Sequence, residues 1–492
     1  MPVSRKKATQ TAAATHGTDA ATEIQVIREE LNNTLALQRD AYHAHPNPSF
    51  SERKTDLLNL KEFVRDYRDD LVDAVNADYG HRSTHETLFT EIFPVIDGID
   101  QTLKHLKDWM KPQNRSVDKR NFYGATNRVI PQPLGVVGSI VPWNFPINLS
   151  FMGLISTFAA GNHAMVKMSE NSRHLTRLLI EKIPEYFQRE KLAFFEETGG
   201  VGIEFSQLKF DHLLFTGSGQ TGKAVMASAA QNLCPVTLEL GGKSPAIVCR
   251  DFPISKAAER IMFVKLLNAG QICTTVDHVY VPKGKTSEFV SAAKNIVSER
   301  YTRLSSKDYT SIIDDRSFKR LTDALEEAKE GGAKLVQLIP GKKWDAATRK
   351  IAPHIVLKTP ADSILLKREI FGPILPVIEY TTLEDPIQAI NDGPRPLAMY
   401  PFTNDKEQVQ MLLDRVMSGG VSINDALFHV AQHDLPFGGV GESGMGHYHG
   451  YEGFITFSKM RPVFQQAPFS AIKFLYPPYG TLATTYLNFL TK

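Results

Sequence analysis

The pattern of apolar residues predicts a helical N-terminal region. Apolar side chains recur at helical spacing through residues 23–110, beginning with Ile27, Leu31 and Leu35. This spacing places them on one face of each helix, where a core can cover them. Residues 1–22 are rich in Ala, Thr, Lys and Gln and show no such stripe, so we expect a disordered tail there. Their basic start is followed by no apolar run, so we do not expect a secretory signal.

From residue 118 onward, short apolar runs alternate with helical patterns. The runs typical of strands are 129–130, 134–141, 164–167, 212–215, 246–248 and 279–281. The segments with helical spacing are 172–187, with Ser172 as a candidate N-cap, 223–230, 254–268, 286–300 and 316–330. Such alternation is typical of α/β folds, in which helices cover a mostly parallel sheet. A chain of 492 residues is long enough for two or three domains.

Composition and charge describe an ordinary soluble protein. Hydrophobic residues make up 42% and charged residues 22%, and a net charge of +2 gives no reason to expect a nucleic-acid or acidic partner. The most apolar stretch, 136–166, is interrupted by Pro142, Asn144 and Pro146, so we interpret it as core and not as a membrane span. Three cysteines are too few for a disulfide framework, and we expect a reducing, cytoplasmic location.

One of the three cysteines has the surroundings of a reactive thiol. Free cysteine usually behaves as a small buried hydrophobe, and this interpretation suits Cys234 and Cys249, which border apolar runs. Cys273 lies instead in the stretch NAGQICTT, whose small residues allow the close approach of a ligand. A thiol attacks as its thiolate, and a carboxylate such as that of Glu239 can supply the base. Spacing alone leaves open whether the two residues meet.

A glycine-rich turn offers a site for a nucleotide. The segment 217–222 fits G-x-G-x-x-G and lies between a predicted strand and a predicted helix, where backbone N–H groups attract phosphate. It nearly fits a P-loop as well, but Ala224 follows Lys223 where the hydroxyl that binds Mg²⁺ is needed. Glu239 falls near the position of the acid that binds the cofactor ribose in a Rossmann fold. Spacing therefore offers Glu239 two roles, ribose ligand or catalytic base.

Five motifs, in this order along the chain, resemble the aldehyde dehydrogenase superfamily, and the resemblance covers about residues 25–465. The motifs are PWNFP at 142–146, FTGS at 215–218, LELGGKSP at 238–245, GQIC at 270–273 and EIFGP at 369–373. The resemblance implies an α/β fold with a Rossmann-like cofactor domain, a second α/β catalytic domain and a small β oligomerisation element. It also implies NAD(P)-dependent oxidation of an aldehyde to a carboxylic acid through a cysteine thiohemiacetal and thioester.

The resemblance assigns roles residue by residue. The residues that match the catalytic set are Cys273 as nucleophile, Glu239 as general base and Asn144 as the side chain that stabilises the oxyanion. The residues that match the cofactor site are Lys167 and Glu170 at the adenosine ribose, Gly217, Ser218 and Gly222 near the pyrophosphate, Glu369 and Phe371 at the nicotinamide ribose and ring, and Trp143 and Leu240 beside them. His429 and His433 lack the glutamate of a zinc-protease motif, so we expect no metal.

The resemblance also sets expectations for the domains and the assembly. We expect the NAD(P)-binding domain at 23–240, the catalytic domain at 241–425, and the oligomerisation element with a C-terminal tail at 426–492. The strand-like segment 115–132 is expected to join that element. A homodimer is implied, with this segment and the C-terminal region at its interface.

Finer likenesses bear on the substrate and the cofactor. The segment 438–450 and Asp277 resemble the class 3 branch, and 461–466 is similar to bacterial coniferyl aldehyde dehydrogenases. The expected reaction is therefore coniferyl aldehyde to ferulate, with medium- or long-chain aliphatic aldehydes as the alternative. The chain departs from the family's usual proline after Lys167, since Met168 follows. The acid at Glu170 favours NAD because its charge repels a 2′-phosphate, and class 3 members can also use NADP.

Two alternatives to this reaction stay open at this stage. One is an acylating enzyme that passes the thioester to coenzyme A, although a base at Glu239 favours hydrolysis. The other is a non-catalytic binding protein on the same fold. The small-molecule aldehyde is the only partner, besides a second copy of the chain, that the resemblance implies.

Overall fold

The computed structural model describes the backbone of residues 9–491 and the side chains of residues 23–470 and 472–491. The helices are α1 (Thr9–Ala44), α2 (Phe50–Asp66), α3 (Arg68–Tyr79), α4 (Thr84–Thr87), α5 (Phe93–Trp109), α6 (Pro146–Ala159), α7 (Arg173–Lys182), α8 (Val201–Ser206), α9 (Gly219–Ala230), α10 (Ile254–Leu266), α11 (Thr286–Arg300), α12 (Asp315–Glu330), α13 (Ile364–Lys367), α14 (Glu384–Asn391), α15 (Lys406–Arg415), α16 (Gly450–Thr456) and α17 (Thr481–Leu490).

The strands are β1 (Gln113–Arg115), β2 (Thr126–Pro133), β3 (Val136–Ile140), β4 (His163–Lys167), β5 (Leu192–Phe195), β6 (His212–Gly217), β7 (Val236–Leu240), β8 (Pro245–Val248), β9 (His278–Pro282), β10 (Lys334–Gln337), β11 (Trp344–Asp345), β12 (Lys350–Ile351), β13 (His354–Leu357), β14 (Ile374–Tyr380), β15 (Ala398–Phe402), β16 (Gly420–Val421), β17 (Gly444–Met445) and β18 (Ser458–Gln465). Short helical turns lie at Leu88–Ile92, Ile183–Glu185, Leu267–Gly270, Gly441–Ser443 and Ala471–Leu475.

A six-stranded sheet forms the first α/β layer, in the order β17-β7-β6-β3-β4-β5. The five strands from β7 to β5 run parallel, and only the edge strand β17 is antiparallel to its neighbour. The chain moves outward from β3 through β4 to β5 and then returns to place β6 on the other side of β3. A crevice at the carboxyl ends of strands is the usual ligand site at such a change of direction.

A seven-stranded sheet forms the second α/β layer, in the order β10-β13-β14-β9-β8-β15-β16. All its neighbours are parallel except the edge pair β10 and β13. One large apolar cluster covers this sheet, and two others lie on the faces of the six-stranded sheet. Each layer thus has its own core, as two α/β domains require.

A three-stranded antiparallel sheet, in the order β1-β2-β18, stands apart from both layers. β2 and β18 pair over their full length, from Ser458 opposite Pro133 to Gln465 opposite Thr126. The strand-like segment 115–132 was expected to join the oligomerisation element. Its strand β2 forms one sheet with β18 of the C-terminal region. β18 is an edge strand, and its free edge lies beside no other described strand.

Most of the predicted elements are present, and a few differ from expectation. α1 begins at Thr9, so residues 9–22 are helical although the sequence predicts a disordered tail there, while residues 1–8 lie outside the described residues. The alanine-rich composition that lacks an apolar stripe still has high helix propensity. Ser172 occupies the N-cap of α7, but its side chain makes no capping bond to a described residue. No described helix combines the length and apolar content that crossing a bilayer requires.

Candidate active site

The residues singled out by sequence gather at the carboxyl edge of the six-stranded sheet. Asn144 follows β3, Lys167 ends β4, and Glu239 lies one residue before the end of β7. Cys273 comes from the other layer, in the connection between α10 and β9. The sheet order therefore explains why motifs far apart in sequence meet where the two layers are in contact, through Asn144 and Gln271 and through Trp143 and Phe371. We call this junction the crevice.

The backbone before Cys273 has an unusual shape that several side chains maintain. Asn268, Ala269 and Gly270 are consecutive residues in the left-handed region, with φ of 51°, 51° and 76°. Such a run is costly for non-glycine residues, so surrounding contacts have to stabilise it. The side chain of Gln271 supplies three of these contacts: its amide donates to the carbonyls of Asn268 (2.9 Å) and Ser311 (3.1 Å), and its oxygen accepts from the N–H of Ile313 (3.0 Å).

The loop that carries Asn144 is attached to the same backbone. The Asn144 side chain is 4% exposed, and its Nδ2 donates to the carbonyl oxygen of Gln271 at 3.2 Å. The Asn144 carbonyl accepts from Tyr79 Oη (3.1 Å), Arg82 Nη1 (3.0 Å) and Asn268 Nδ2 (3.2 Å). These bonds hold Asn144 against the backbone that leads to Cys273.

A buried ion pair supports the Asn144 loop from behind. Arg82 Nη1 lies 2.7 Å from Glu91 Oε1, and both side chains are 0% exposed. The other oxygen of Glu91 accepts from the backbone N–H groups of Ile147 (2.7 Å) and Asn148 (3.2 Å), in the first turn of α6. Burial raises the pKa of Glu91, and the charge of Arg82 acts against this rise. The guanidinium also lies over the rings of Tyr79 and Phe145.

The thiol of Cys273 is half-buried beside two carboxyl groups. Burial raises its pKa to about 12, and the charges of Glu369 and Glu239 add to the rise. The resting residue is therefore a neutral thiol, which needs a base before it can attack. Cys234 and Cys249, in contrast, are buried, as their apolar surroundings predict.

Glu239 is the most isolated carboxyl group of the crevice. Its side chain is 4% exposed, and neither oxygen accepts a hydrogen bond from the part of the chain that the structure describes. Burial raises its pKa well above the ordinary value. A carboxyl group with a strongly raised pKa and unused oxygens is characteristic of general acid–base sites.

Glu369 and Phe371 lie across the crevice in a strained turn. Phe371 has a φ of 49°, and its ring packs edge-on against Trp143 with 5.5 Å between ring centroids. Burial raises the pKa of Glu369 to about 8, with a further contribution from Asp277. Its Oε1 has no hydrogen-bond partner among the described residues. A Cβ on Gly241 would lie 2.0 Å from Glu369 Oε2, so only glycine fits beside this carboxyl group.

Asp277 anchors the turn that carries Glu369. In the sequence, Asp277 stood out only as part of the resemblance to the class 3 branch, without a role. Its carboxylate accepts from the backbone N–H of Ile370 at 2.9 Å and pairs with Lys243 Nζ. Lys243 Nζ also donates to the carbonyls of Leu365 (2.9 Å) and Arg368 (3.0 Å). Although burial opposes it, the charge of Lys243 holds the pKa of Asp277 below its usual range.

The glycine-rich turn has the geometry of a helix N-terminus. Ser218 is the N-cap of α9, and its Oγ accepts from the N–H of Thr221 at 3.2 Å. Gly222 packs on β7, because a Cβ there would lie 2.7 Å from Leu240 Cδ2. Space above Gly219 is open. Lys167 and Glu170 lie at the end of β4, on the other side of β3 from this turn. Glu170 is exposed, and Lys167 pairs with Glu197 at 2.6 Å.

The sequence profile of the aldehyde dehydrogenase family matches residues 4–463. The chain belongs to the aldehyde dehydrogenase family. It is therefore an oxidoreductase that acts on aldehydes.

Several relatives of this aldehyde dehydrogenase match nearly its full length. A Pseudomonas aeruginosa protein named "Probable coniferyl aldehyde dehydrogenase" is 47% identical, over 93% of this chain and 96% of that protein. The coniferyl aldehyde dehydrogenase of Pseudomonas sp. strain HR199 is 41% identical, over 92% and 94%. A substrate-bound structure of Staphylococcus aureus AldH superposes with a TM-score of 0.88 at 33% identity, and covers 94% of this chain and 99% of that one.

The crevice fits the dinucleotide that aldehyde dehydrogenases use, NAD or NADP. The first turn of α9 presents backbone N–H groups beneath the open space at Gly219, as phosphate binding requires. Glu369 Oε1 has no hydrogen-bond partner among the described residues, so it is available as an acceptor for a ribose hydroxyl. The residues present are thus compatible with the cofactor.

Several supporting residues of this aldehyde dehydrogenase site were not predicted. They are Arg82, Glu91, Gln271, Lys243 and Glu197. Arg82 and Glu91 fall in helical sequence where a charged residue is usually exposed, and their pairing depends on tertiary packing. Gln271 lies within the GQIC motif, but its role in stabilising the left-handed backbone before Cys273 follows only from the shape of that loop.

Proposed function

We propose that this aldehyde dehydrogenase oxidises coniferyl aldehyde to ferulate through a thioester at Cys273. The observation that carries the proposal is the arrangement of three groups around one crevice. These are the half-buried thiol of Cys273, the unpaired carboxyl of Glu239 and the anchored amide of Asn144. A non-catalytic binding protein has no need for a buried carboxyl group whose oxygens are left unpaired, since such burial costs stability.

In the first step, Cys273 gives up its proton and its sulfur attacks the aldehyde carbon. A C–S bond forms, and the carbonyl electron pair becomes an oxyanion. Burial raises the pKa of Glu239 well above its ordinary value, so its carboxylate is a stronger base than an exposed one. Glu239 is therefore a suitable acceptor for this proton.

The oxyanion requires hydrogen-bond donors that are already in position. Asn144 Nδ2 carries two protons, and the bond to Gln271 uses one of them. The second proton of Asn144 and the backbone N–H of Cys273 are the proposed donors. Because Gln271 precedes the nucleophile by two residues, the bond also fixes the distance between donor and sulfur.

Bound NAD(P)⁺ supplies the acceptor for the hydride that leaves the former aldehyde carbon, and a thioester remains on Cys273. Glu239 releases to the solvent the proton that it took from Cys273 and then removes a proton from water. The hydroxide attacks the thioester, the C–S bond breaks, the carboxylic acid leaves, and the proton on Glu239 returns to the Cys273 thiolate. Lys167 and Glu170 are proposed to hold the adenosine ribose, and Gly217, Ser218 and Gly222 to hold the pyrophosphate. Glu369, Phe371, Trp143 and Leu240 are proposed to border the nicotinamide half.

An aromatic aldehyde is supported by the apolar surroundings of the catalytic residues and by the relatives. Phe145 and Ile272, the sequence neighbours of Asn144 and Cys273, form a small buried apolar cluster with Leu267. Apolar surroundings suit a planar ring. The two relatives with coniferyl aldehyde in their names provide the more specific support.

The substrate is tested by kcat/KM for coniferaldehyde, benzaldehyde, hexanal and decanal, measured through NADH absorbance. We expect coniferaldehyde to have the highest value. A higher value for decanal or hexanal would favour the aliphatic alternative, and no NADH with any aldehyde would refute the proposed reaction.

We also propose a cytoplasmic homodimer that prefers NAD. The free edge of β18 and the neighbouring segment 115–132 are the proposed interface, because an exposed strand edge is a template for a second copy. Sedimentation equilibrium should give twice the chain mass of 54.9 kDa. A monomer at micromolar concentration would contradict the dimer.

A further inference from the structure

An ion pair that the sequence did not predict lies at the proposed adenosine site. Lys167 Nζ lies 2.6 Å from Glu197 Oε2, with side-chain exposures of only 8% and 14%. Lys167 ends β4 and is in register with Phe195, the last residue of the neighbouring β5. Glu197 follows β5 by two residues, so the pair bridges two strand ends at the carboxyl edge of the sheet.

The protein fixes Glu197 with several bonds besides this pair. Its Oε1 accepts from the backbone N–H groups of Gly199 and Val201, each at 3.1 Å, and its Oε2 accepts from Gly202 at 2.9 Å. Although burial opposes it, the bond from Lys167 lowers the pKa of Glu197, and the backbone bonds add to this. The carboxylate is therefore ionised and immobile at neutral pH.

Gly202 leaves room for the pair. A Cβ at this position would lie 3.0 Å from Glu197 Oε2 and 3.2 Å from Lys167 Nζ. Both distances are tighter than ordinary van der Waals contact, so a larger residue would push the two groups apart. The fixed carboxylate of Glu197 and the small size of Gly202 thus keep Lys167 in its ion pair.

We infer that Glu197 makes the adenosine site select NAD⁺ over NADP⁺ by neutralising Lys167. This inference rests on the proposed function, which places Lys167 at the adenosine ribose. A ribose 2′-hydroxyl can donate to a carboxylate and accept from an ammonium, so it suits the ion pair. A 2′-phosphate has no proton to offer at neutral pH and needs a free cation.

The charges nearby strengthen this selection. Besides Glu197, the exposed carboxylate of Glu170 lies three residues after Lys167 on the same strand end. A 2′-phosphate would therefore meet two carboxylates and one ammonium that already has a partner. Replacing Glu197 by glutamine keeps the shape and the acceptor oxygen but removes the charge, and Lys167 becomes free to pair with a phosphate.

The test measures binding without aldehyde, so that it does not depend on turnover. Isothermal titration calorimetry is carried out with NAD⁺ and NADP⁺, and with the adenosine halves 5′-AMP and 2′,5′-ADP, on wild type, Glu197→Gln and Glu196→Gln. Glu196 is a matched control, because its carboxylate pairs with Arg177 at 3.2 Å and has no contact with Lys167 among the described residues. Thermal melting checks that each variant is folded.

We expect the wild type to bind NAD⁺ more tightly than NADP⁺, and Glu197→Gln to shift the ratio toward NADP⁺ by about tenfold or more. Glu196→Gln should leave the ratio unchanged. A wild type that binds NADP⁺ more tightly than NAD⁺, or equal NAD⁺-to-NADP⁺ affinity ratios in the two variants, would overturn the inference. If Glu197→Gln is unfolded, the test is the wild type alone, which should bind NAD⁺ more tightly than NADP⁺ and 5′-AMP more tightly than 2′,5′-ADP; the reverse order would overturn the inference. Failure of the wild type to bind any of them would refute the proposed cofactor site itself, whereas NAD⁺-dependent aldehyde oxidation with an unshifted ratio would refute only the role of Glu197.

Discussion

The side-chain amide of Asn144 donates a hydrogen bond to the backbone carbonyl of Gln271, two residues before Cys273. This bond joins two layers of the molecule, since Asn144 follows β3 of the six-stranded sheet and Gln271 precedes β9 of the seven-stranded sheet. The proposed oxyanion donor and the proposed nucleophile are thus positioned by one contact. The proposed mechanism therefore depends on a fixed relative position of the six-stranded and seven-stranded sheets.

Replacing Asn144 by Ala should lower kcat by about 10²–10³, because one oxyanion donor is lost. The substitution also removes the bond to Gln271, so stability should fall by about 1 kcal/mol. Stopped-flow NADH formation and urea unfolding measure the two effects. Asn59→Ala is the control: Asn59 is a half-buried amide that donates to the carbonyl of Tyr186, remote from the crevice. Equal losses of kcat in both variants would contradict the assigned role.

Replacing Glu239 by Gln should slow both proton transfers, but hydrolysis of the thioester more than its formation, because solvent water can still take the proton of the half-buried Cys273 thiol. The amide cannot accept a proton from water, so deacylation should become limiting and a burst of NADH should precede a steady rate lowered by about 10²–10⁴. Rapid-mixing absorbance measures both phases. Collapse of NAD⁺ affinity with unchanged turnover would instead make Glu239 a ribose ligand, the role that glycine spacing alone left open.

Much of the fold was predictable because its signals are local. The alternation of strands and helices after residue 118 predicted an α/β fold with a mostly parallel sheet, and the helix predicted at 286–300 has those bounds in the structure. Signals that depend on distant packing were not predictable. α1 extends back to Thr9 in an alanine-rich segment where the absence of an apolar stripe favoured disorder.

The candidate site shows the same division. The motifs around Cys273, Glu239 and Asn144 carry their own sequence context, so a single chain identifies them. Arg82 and Glu91 have no such context, because each resembles an ordinary charged residue of the region predicted as helical, and only the folded chain buries them as a pair. Glu197 was missed for the same reason, since its partner Lys167 lies on the neighbouring strand.

Replacing Gly270 by Ala should destabilise the protein and impair activity. The residue has a φ of 76°, and an added Cβ would lie 2.5 Å from the carbonyl oxygen of Gly372. Backbone strain and the clash together should cost about 2–4 kcal/mol. Gly284→Ala is a matched control, because Gly284 also has a positive φ, of 85°, but open space around it. Alanine there adds backbone strain without a clash. The two free energies of unfolding, measured in urea, should differ; equal values would show that crowding at Gly270 is unimportant.

Glu86 should make stability depend on pH. It is 8% exposed, its Oε2 accepts from Thr310 Oγ1 at 2.5 Å, and burial raises its pKa to about 7. Between the ordinary pKa near 4.5 and pH 7 the unfolded chain releases the proton first, so the free energy of unfolding should fall as pH rises. The fall should be on the order of 3 kcal/mol and should be complete above about pH 7. Urea unfolding of wild type and Glu86→Gln at several pH values measures it; parallel curves would contradict the assignment.

The proposed mechanism requires a covalent intermediate at Cys273, which peptide mass spectrometry can detect. Glu239→Gln is mixed with NAD⁺ and coniferaldehyde, quenched in acid within the burst and digested. We expect a feruloyl group on the peptide that contains Cys273, none on the peptides of Cys234 or Cys249, and no NADH from the double variant with Cys273→Ala. An unmodified Cys273 peptide during active NADH formation, or NADH formation that persists when Cys273 is alanine, would rule out Cys273 as the nucleophile.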